Sequence, residues 1–571
     1  MPRAGLEPAC GCPRWILSPL RLPFRHLGKS IGAILIAQRL CQTARLLDKL
    51  VPMTPAYRAE RLRARRTDCG DGQNGNRRMN QSASLEIVMM DALKLGGAIR
   101  SRQLSCVEVM DAYLDHIDRV NPCVNAIVSL QPRHELLRQA RDRDRQLAGA
   151  EYLGPMFGFP QAIKDMENTA GIRTTMGSLL LKDLVPAADS IMVERIRRAG
   201  SILIGKTNTP EFGLGSHTFN PVFGTTLGAY DQSKTAGGSS GGAAVSLALR
   251  MQAVADGSDH GGSLRNPAAF NNVFGFRTSF GCIPIDWPDV FIGGLGVKGP
   301  MARNVPDLAM LLSIQAGYDS RAPLSNHQEP SRFRQSLDRD FKGVRIAWLG
   351  DFKGYLPFEP GVMELCVRAI KVFEQLGCIV EEAWPDFPIG AVWDNWLKLR
   401  AMQVGAGLRA LYEDPSKRAL MKPEVRWEIE CGLKLSANDI AEAGAARTAW
   451  YKAVRKFFEG YDYFALPSAQ VFPFDASIRW PNQINGRPMD TYHRWMEVAV
   501  PVTMSGCPAL SMPAGFNDSG LPMGIQIVAP NHAEWECLQL AHFYDLETGW
   551  TRKRLPPLLN QVLGSSRPMR S

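Results

Sequence analysis

Hydrophobic and polar positions become periodic only from Ser84 onward. Leu85, Ile87, Val88, Ala92, Leu93, Leu95, Ala98 and Ile99 recur at helical spacing and predict one amphipathic helix. Residues 106–118 predict a second, with Ser105 placed as its N-cap. Apolar runs of strand length follow at 126–130, 159–163 and 201–205, the last directly after a helix expected to end near residues 198–200. Further strands are expected at 344–349, 379–380, 463–467 and 524–528, and a buried helix at 243–250. Helices and strands alternating along 571 residues predict an α/β architecture with a large core. From about residue 310 to 455 the pattern shifts to long helical stretches rich in charged and aromatic residues, such as 393–412 and 440–458.

Residues 1–78 show neither period. They are rich in Arg, Pro and Gly, and Pro2, Pro8, Pro13, Pro19 and Pro23 would interrupt any amphipathic targeting helix. The expectation is that translation begins at Met79 and that 1–78 is upstream sequence or a disordered tail. The formal charge of +10 changes meaning once it is located, because this leader carries the whole basic surplus and the rest of the chain is formally neutral. The charge is therefore no argument for nucleic acid as a partner. The longest apolar run in the leader, from Ile31 to Ala37, falls well short of the roughly 20 residues a membrane helix needs, and no later stretch reaches that length. The 12 cysteines include no CxxC pair and no Cys/His spacing suited to zinc, which predicts free thiols in a reducing, cytoplasmic setting.

Candidate chemistry lies in two glycine-rich turns, residues 237–242 (Gly-Gly-Ser-Ser-Gly-Gly) and 257–265 (Gly-Ser-Asp-His-Gly-Gly-Ser-Leu-Arg). Each sets a serine hydroxyl among backbone N–H groups that no side chain shields. Acyl transfer needs that combination of an approachable nucleophile and free donors for the oxyanion. A serine also needs a group to take its proton, and Lys164 stands upstream at the end of an apolar strand. A free lysine has a pKa of about 10.4, and burial lowers it toward the range of a working base.

These motifs occur in an ordered series. Ile163-Lys164-Asp165 is followed by Gly205-Lys206-Thr207-Asn208, Glu211-Phe212, both glycine-rich turns, residues 503–510, Pro513-Ala514-Gly515 and residues 521–526. The series resembles the amidase signature family, hydrolases with a Ser-cisSer-Lys triad. Separations of 75 residues from Lys164 to Ser239 and 24 from Ser239 to Ser263 are typical of it. The resemblance implies a large mixed central β-sheet covered by helices on both faces, one amidase domain over 79–560 with a variable, substrate-shaping region at about 310–455, and a C-terminal tail at 561–571. It assigns Ser263 as nucleophile, Ser239 as the bridge entered through a cis peptide bond, and Lys164 as base. The N–H groups of His260, Gly261, Gly262 and Ser263 become the oxyanion hole, Ser240 and Arg265 support the network, and Gly213 lines the acyl pocket.

Two positions depart from the family's habit. His260 stands where a small or apolar residue is usual, and Gly228-Ala229 replaces a common Asn-Pro. Asp165 and Glu211 are expected as structural carboxylates, and His217 and His260 as polar neighbours of the site, not metal ligands. The implied activity is hydrolysis of a carboxylic amide, aryl or otherwise hydrophobic, through an acyl-enzyme, with no metal or organic cofactor. The expected partner is a small-molecule amide, with no nucleic acid and no membrane, and a homodimer is the assembly considered. The alternatives are the A-type component of a glutamyl- or aspartyl-tRNA amidotransferase, or a carbamate, urea-type or ester hydrolase.

Overall fold

A computed structural model describes residues 81–286 and 289–564; the leader, and the tail beyond 564, lie outside the described residues. The periodicity at 85–99 produces two helices instead of one, Gln81–Met89 and Ala92–Arg100. The cause is distant in sequence. The carboxylate of Asp307 accepts the N–H groups of Ala92 at 2.7 Å and Leu93 at 2.9 Å, so a new helix starts there. The next helix, Cys106–Val120, begins as expected at Ser105, which forms a capping box with Glu108.

Strands β1 (Ile127–Val128), β2 (Pro160–Lys164) and β3 (Ile202–Thr207) form a small sheet in the order β1-β3-β2, with β3 parallel to β2 and antiparallel to β1. The larger sheet contains β4 (Val254–Asp259), β5 (Phe274–Arg277), β6 (Val297–Ala302), β7 (Arg345–Trp348), β8 (Ile379–Glu382), β9 (Tyr463–Pro467), β10 (Ala509–Phe516) and β11 (Pro522–Val528). Its order is β8-β7-β9-β11-β10-β5-β6-β4, parallel where β7 pairs with β8 and β9 and antiparallel elsewhere. Every residue of β11 is buried, so both faces of the pleat are covered, as the hydrophobic run implied.

The two sheets meet through side chains. Ala162 N–H donates to Gln252 Oε1 at 3.0 Å, and Lys164 N–H donates to the Asp256 carboxylate at 3.2 and 3.3 Å. The C-terminal part of β2 is thereby held against the beginning of β4, and each strand leads into a candidate motif. Strand β4, which reads Val-Ala-Asp-Gly-Ser-Asp, carried no strand signal because its polar residues look like a loop until their partners are known. The charged and aromatic middle region folds into the helices Ile389–Glu413, Pro423–Leu433 and Ala437–Phe457. The first turns Trp393, Trp396 and Arg400 inward, all buried. Among the described residues no helix is long and apolar enough to cross a membrane.

Candidate active site

Lys164 ends β2 with its side chain completely buried. Its Nζ donates to three hydroxyls, Ser239 Oγ at 2.8 Å, Ser240 Oγ at 2.8 Å and Ser258 Oγ at 3.0 Å. Ser239 and Ser240 come from the first glycine-rich turn, whose Gly238–Ser239 peptide bond is cis. Ser240 is also the N-cap of the fully buried helix Gly241–Ala248. Burial pushes the Lys164 pKa down to about 7, against the opposing pull of Asp256, Glu167 and Asp259.

The second turn follows β4. Ser240 N–H donates to Ser263 C=O at 3.2 Å, which ties the two turns together. Exposure rises along the series, from 0% at Lys164 to 3% at Ser239 and 8% at Ser263, so Ser263 is the member nearest solvent. Among the described residues no hydrogen bond joins the hydroxyls of Ser239 and Ser263. Gly262 adopts φ +102°, and a Cβ there would lie 2.9 Å from that of Ala499. Gly257 permits a second close approach, because a Cβ on it would lie 2.8 Å from Ser240 Oγ.

One feature of the expected oxyanion hole is corrected. The Gly262 N–H points to Asp259 Oδ1 at 3.0 Å and is therefore engaged within the turn. Among the described residues the N–H groups of His260, Gly261 and Ser263 have no acceptor. Asp259 also accepts the N–H of Leu264 at 3.1 Å, and it pairs with Arg265 at 2.9 Å and Arg277 at 3.0 Å, all three side chains fully buried. Burial alone would raise its pKa, but the two guanidiniums hold it far below the usual carboxylate range. Arg265 extends the network to Gln526 Oε1 at 2.8 Å and Thr503 Oγ1 at 3.0 Å, which explains why motifs so far downstream belong to the same site.

The other expected residues fall around this centre. Gly213 (φ +68°) sits where a Cβ would lie 3.5 Å from Ser239 Oγ and 3.2 Å from Met166 Cε. Asp165 accepts from Thr175, and Glu211 accepts from Ser178 Oγ at 2.7 Å and from the main chain of Lys422 at 2.9 Å, so both carboxylates are structural. His217 bonds to Thr235 Oγ1 and Ala476 C=O. His260 faces the middle region, with Nδ1 accepting from Arg400 at 3.3 Å and Nε2 paired with Gln403 Oε1 at 3.0 Å. Burial and the neighbouring Arg400 push its pKa down to about 3, so the ring is neutral. Gly228 and Ala229 keep their turn through Lys234, whose carbonyl accepts Gly228 N–H at 2.8 Å, and through Asn271 Oδ1, which accepts Ala229 N–H at 3.1 Å. Among the described residues no group of three His, Cys, Asp or Glu side chains is placed to hold a metal ion.

Sequence reasoning missed Asp256 and Ser258. They occupy alternate positions of β4, and both reach Lys164, one through its main chain and one through its amine. A period of two would have found them had β4 been recognised as a strand. Arg400 was missed as well, since it arrives from the middle region, where it is bound to Glu428 at 2.5 Å and Tyr492 OH at 3.0 Å.

The family model for amidases matches residues 108–538. The chain belongs to the amidase signature family. It is 31% identical to the acylamidase of Rhodococcus erythropolis over 81% of this chain and 97% of that protein. It is 32% identical to the A-type component of the glutamyl-tRNA(Gln) amidotransferase of Thermosynechococcus vestitus over 79% of this chain and 97% of that one. A bacterial aryl acylamidase of known structure superposes with a TM-score of 0.77 at 28% identity, covering 84% of this chain and 99% of the other. Sequence and fold thus agree: this is a hydrolase of amide C–N bonds.

Proposed function

We propose that this amidase cleaves a small-molecule amide, aryl or otherwise hydrophobic, through an acyl-enzyme on Ser263. The observation that carries the reading is the buried Lys164 nitrogen, with a pKa near 7, placed 2.8 Å from Ser239 Oγ, so that the neutral amine can accept the Ser239 proton. As the neutral amine, Lys164 withdraws the Ser239 proton while Ser239 takes that of Ser263, whose oxygen attacks the amide carbonyl. The oxyanion is received by the N–H groups of His260, Gly261 and Ser263, each worth about 10²–10³ in rate. The proton held by Lys164 returns through Ser239 to the leaving nitrogen, and free amine departs. Water then attacks the ester, its proton follows the same route, and the carboxylic acid is released.

The apolar preference is supported by a satellite cluster of Leu214, Met421, Val425 and Ile429, with half-buried Phe212, Val404 and Leu408 against it, beginning one residue from Gly213. The described cysteines are all free, which suits a cytoplasmic protein. We read residues 79–560 as a single amidase domain. Amide, anilide and aryl-amide substrates assayed with wild type and Ser263→Ala test the reading; the variant should lose at least about 10³-fold in kcat with its fold intact. A second reading, the glutaminase component of a tRNA-dependent amidotransferase, is favoured by the similarity to the Thermosynechococcus vestitus protein over 97% of its length. Release of ammonia from glutamine only in the presence of partner chains would select it.

A further inference from the structure

A residue that must offer its N–H to an oxyanion cannot be held in place by that N–H. Asp259 fastens the far side of the second turn through the N–H groups of Gly262 at 3.0 Å and Leu264 at 3.1 Å. Residues 260 and 261 lack such an anchor, since among the described residues neither their N–H nor their C=O groups are hydrogen-bonded. Gly261 has no side chain to help. What holds these two residues is one face of the helix Ile389–Glu413.

Residues 396, 400 and 403 of that helix follow one another at i, i+4 and i+7 and so share a face. The indole of Trp396 closes on Gly261 so tightly that a Cβ there would lie 3.0 Å from its Cζ2. Arg400 Nη1 and Gln403 Oε1 reach the His260 ring, at 3.3 Å from Nδ1 and 3.0 Å from Nε2. A guanidinium only donates, so Nδ1 carries no proton, and the single ring N–H sits on Nε2 and needs an acceptor. Gln403 supplies it, with its amide turned by the bond from its own Nε2 to Ile292 C=O at 3.4 Å. Both ring nitrogens are thereby used within the protein, and neither is left for substrate.

We infer that the His260 imidazole is a positioning residue for the oxyanion hole, clamping residues 260–261 to the face formed by Trp396, Arg400 and Gln403 so that their free N–H groups converge. The inference rests on the acyl-enzyme reading, in which those groups receive the oxyanion, and adds a side chain that acts through them. Without the ring the donors keep their atoms but lose their aim, which is felt where charge develops and little in the ground state. The expected loss is about tenfold, that of one net neutral hydrogen bond, against about 10²–10³ for a donor removed outright.

The test reads the rate at which a fluorophosphonate labels Ser263, followed by intact mass, which requires no knowledge of the natural substrate. Ser263 Oγ bonds to phosphorus, fluoride leaves, and the phosphonyl oxygen needs the same donors as an amide oxyanion. His260→Ala, which keeps the N–H itself, should label about tenfold more slowly than wild type. On an anilide that the wild type turns over, its kcat should fall to match while KM changes by less than about threefold. Gln403→Met should slow labelling severalfold by itself and have no further effect beside His260→Ala, because its route to the donors is the ring. Wild-type rates in His260→Ala, equal losses from Gln403→Met with and without the ring, or a loss confined to KM would each overturn the clamp and leave the amidase reading standing. Wild-type protein that takes no label at Ser263 overturns the acyl-enzyme reading and the clamp together. If His260→Ala does not fold, Gln403→Met decides alone: slowed labelling supports the clamp, and labelling at the wild-type rate overturns it.

Discussion

The turn that carries Ser263 and the helices that lean over it meet at His260, yet they are held in different ways. Residues 254–265 are fastened by a dry ion network, with Asp259 between Arg265 and Arg277, and their hydrogen bonds go largely to backbone. The helices Ile389–Glu413 and Pro423–Leu433 are joined by Arg400, Glu428 and Tyr492 and by a small apolar cluster whose outer members are half exposed. The first arrangement leaves little freedom, as suits atoms that must receive the same carbonyl from any amide. The second also holds a buried ion pair, Arg400–Glu428 at 2.5 Å, but the half-buried apolar side chains beside it can be exchanged without touching the turn, as would suit a part of the pocket that distinguishes substrates. His260, held by Arg400 and Gln403, is where the middle region touches the rigid turn.

Breaking the rigid side should have the largest effect. Asp259→Asn leaves two buried guanidiniums without their counter-charge and should cost about 3–5 kcal/mol of stability, read by denaturant or thermal unfolding. Activity should fall by about 10² or more as the turn loosens, through the same donors whose individual removal has that cost. An Asp259→Asn enzyme with wild-type rate and stability would erase the distinction between the two regions. Glu428→Gln makes the matching change on the adaptable side. It keeps an acceptor for Tyr492 OH but removes the charge opposite Arg400, and KM should rise by about tenfold while kcat changes less. Equal losses in kcat from both variants would show that the helices belong to the rigid frame.

The smallest expected effect is a shift in pH dependence. With Lys164 as the proposed base, which works as the neutral amine, kcat/KM should rise with pH through about 7 and fall away below it as the amine takes up a proton. Burial and the nearby charge of Glu167 raise the Asp256 carboxyl to about 6, so it is largely ionised where Lys164 titrates and favours the ammonium. Asp256→Asn removes that charge while retaining an oxygen for Lys164 N–H, and the acid limb should move down by about half a pH unit or more. A limb that stays in place or moves to higher pH would remove Asp256 from the tuning of Lys164.

Much of the architecture was readable in periodicity: strand β9 falls on the expected residues, and the helices Ile389–Glu413 and Ala437–Phe457 fall close to theirs. The first helix was misread because its break depends on a carboxylate 215 residues away. Within the site, Lys164, Ser239 and Ser263 stood out because glycine-rich turns and a lysine at a strand end are local patterns. Asp256 and Ser258 did not, since a strand holding Asp, Gly and Ser reads as a loop until its neighbours are in place.

The linear order of residues by itself determined the family, the α/β class and the three residues proposed for the chemistry, because those rest on short-range rules of backbone conformation and side-chain reactivity. Only the tertiary structure decided that Gly262 N–H is taken by Asp259 and that His260 answers to Arg400 and Gln403. Burial, counter-charge and hydrogen-bond occupancy are properties of neighbours in space, and here most of those neighbours are scores to hundreds of residues apart along the chain.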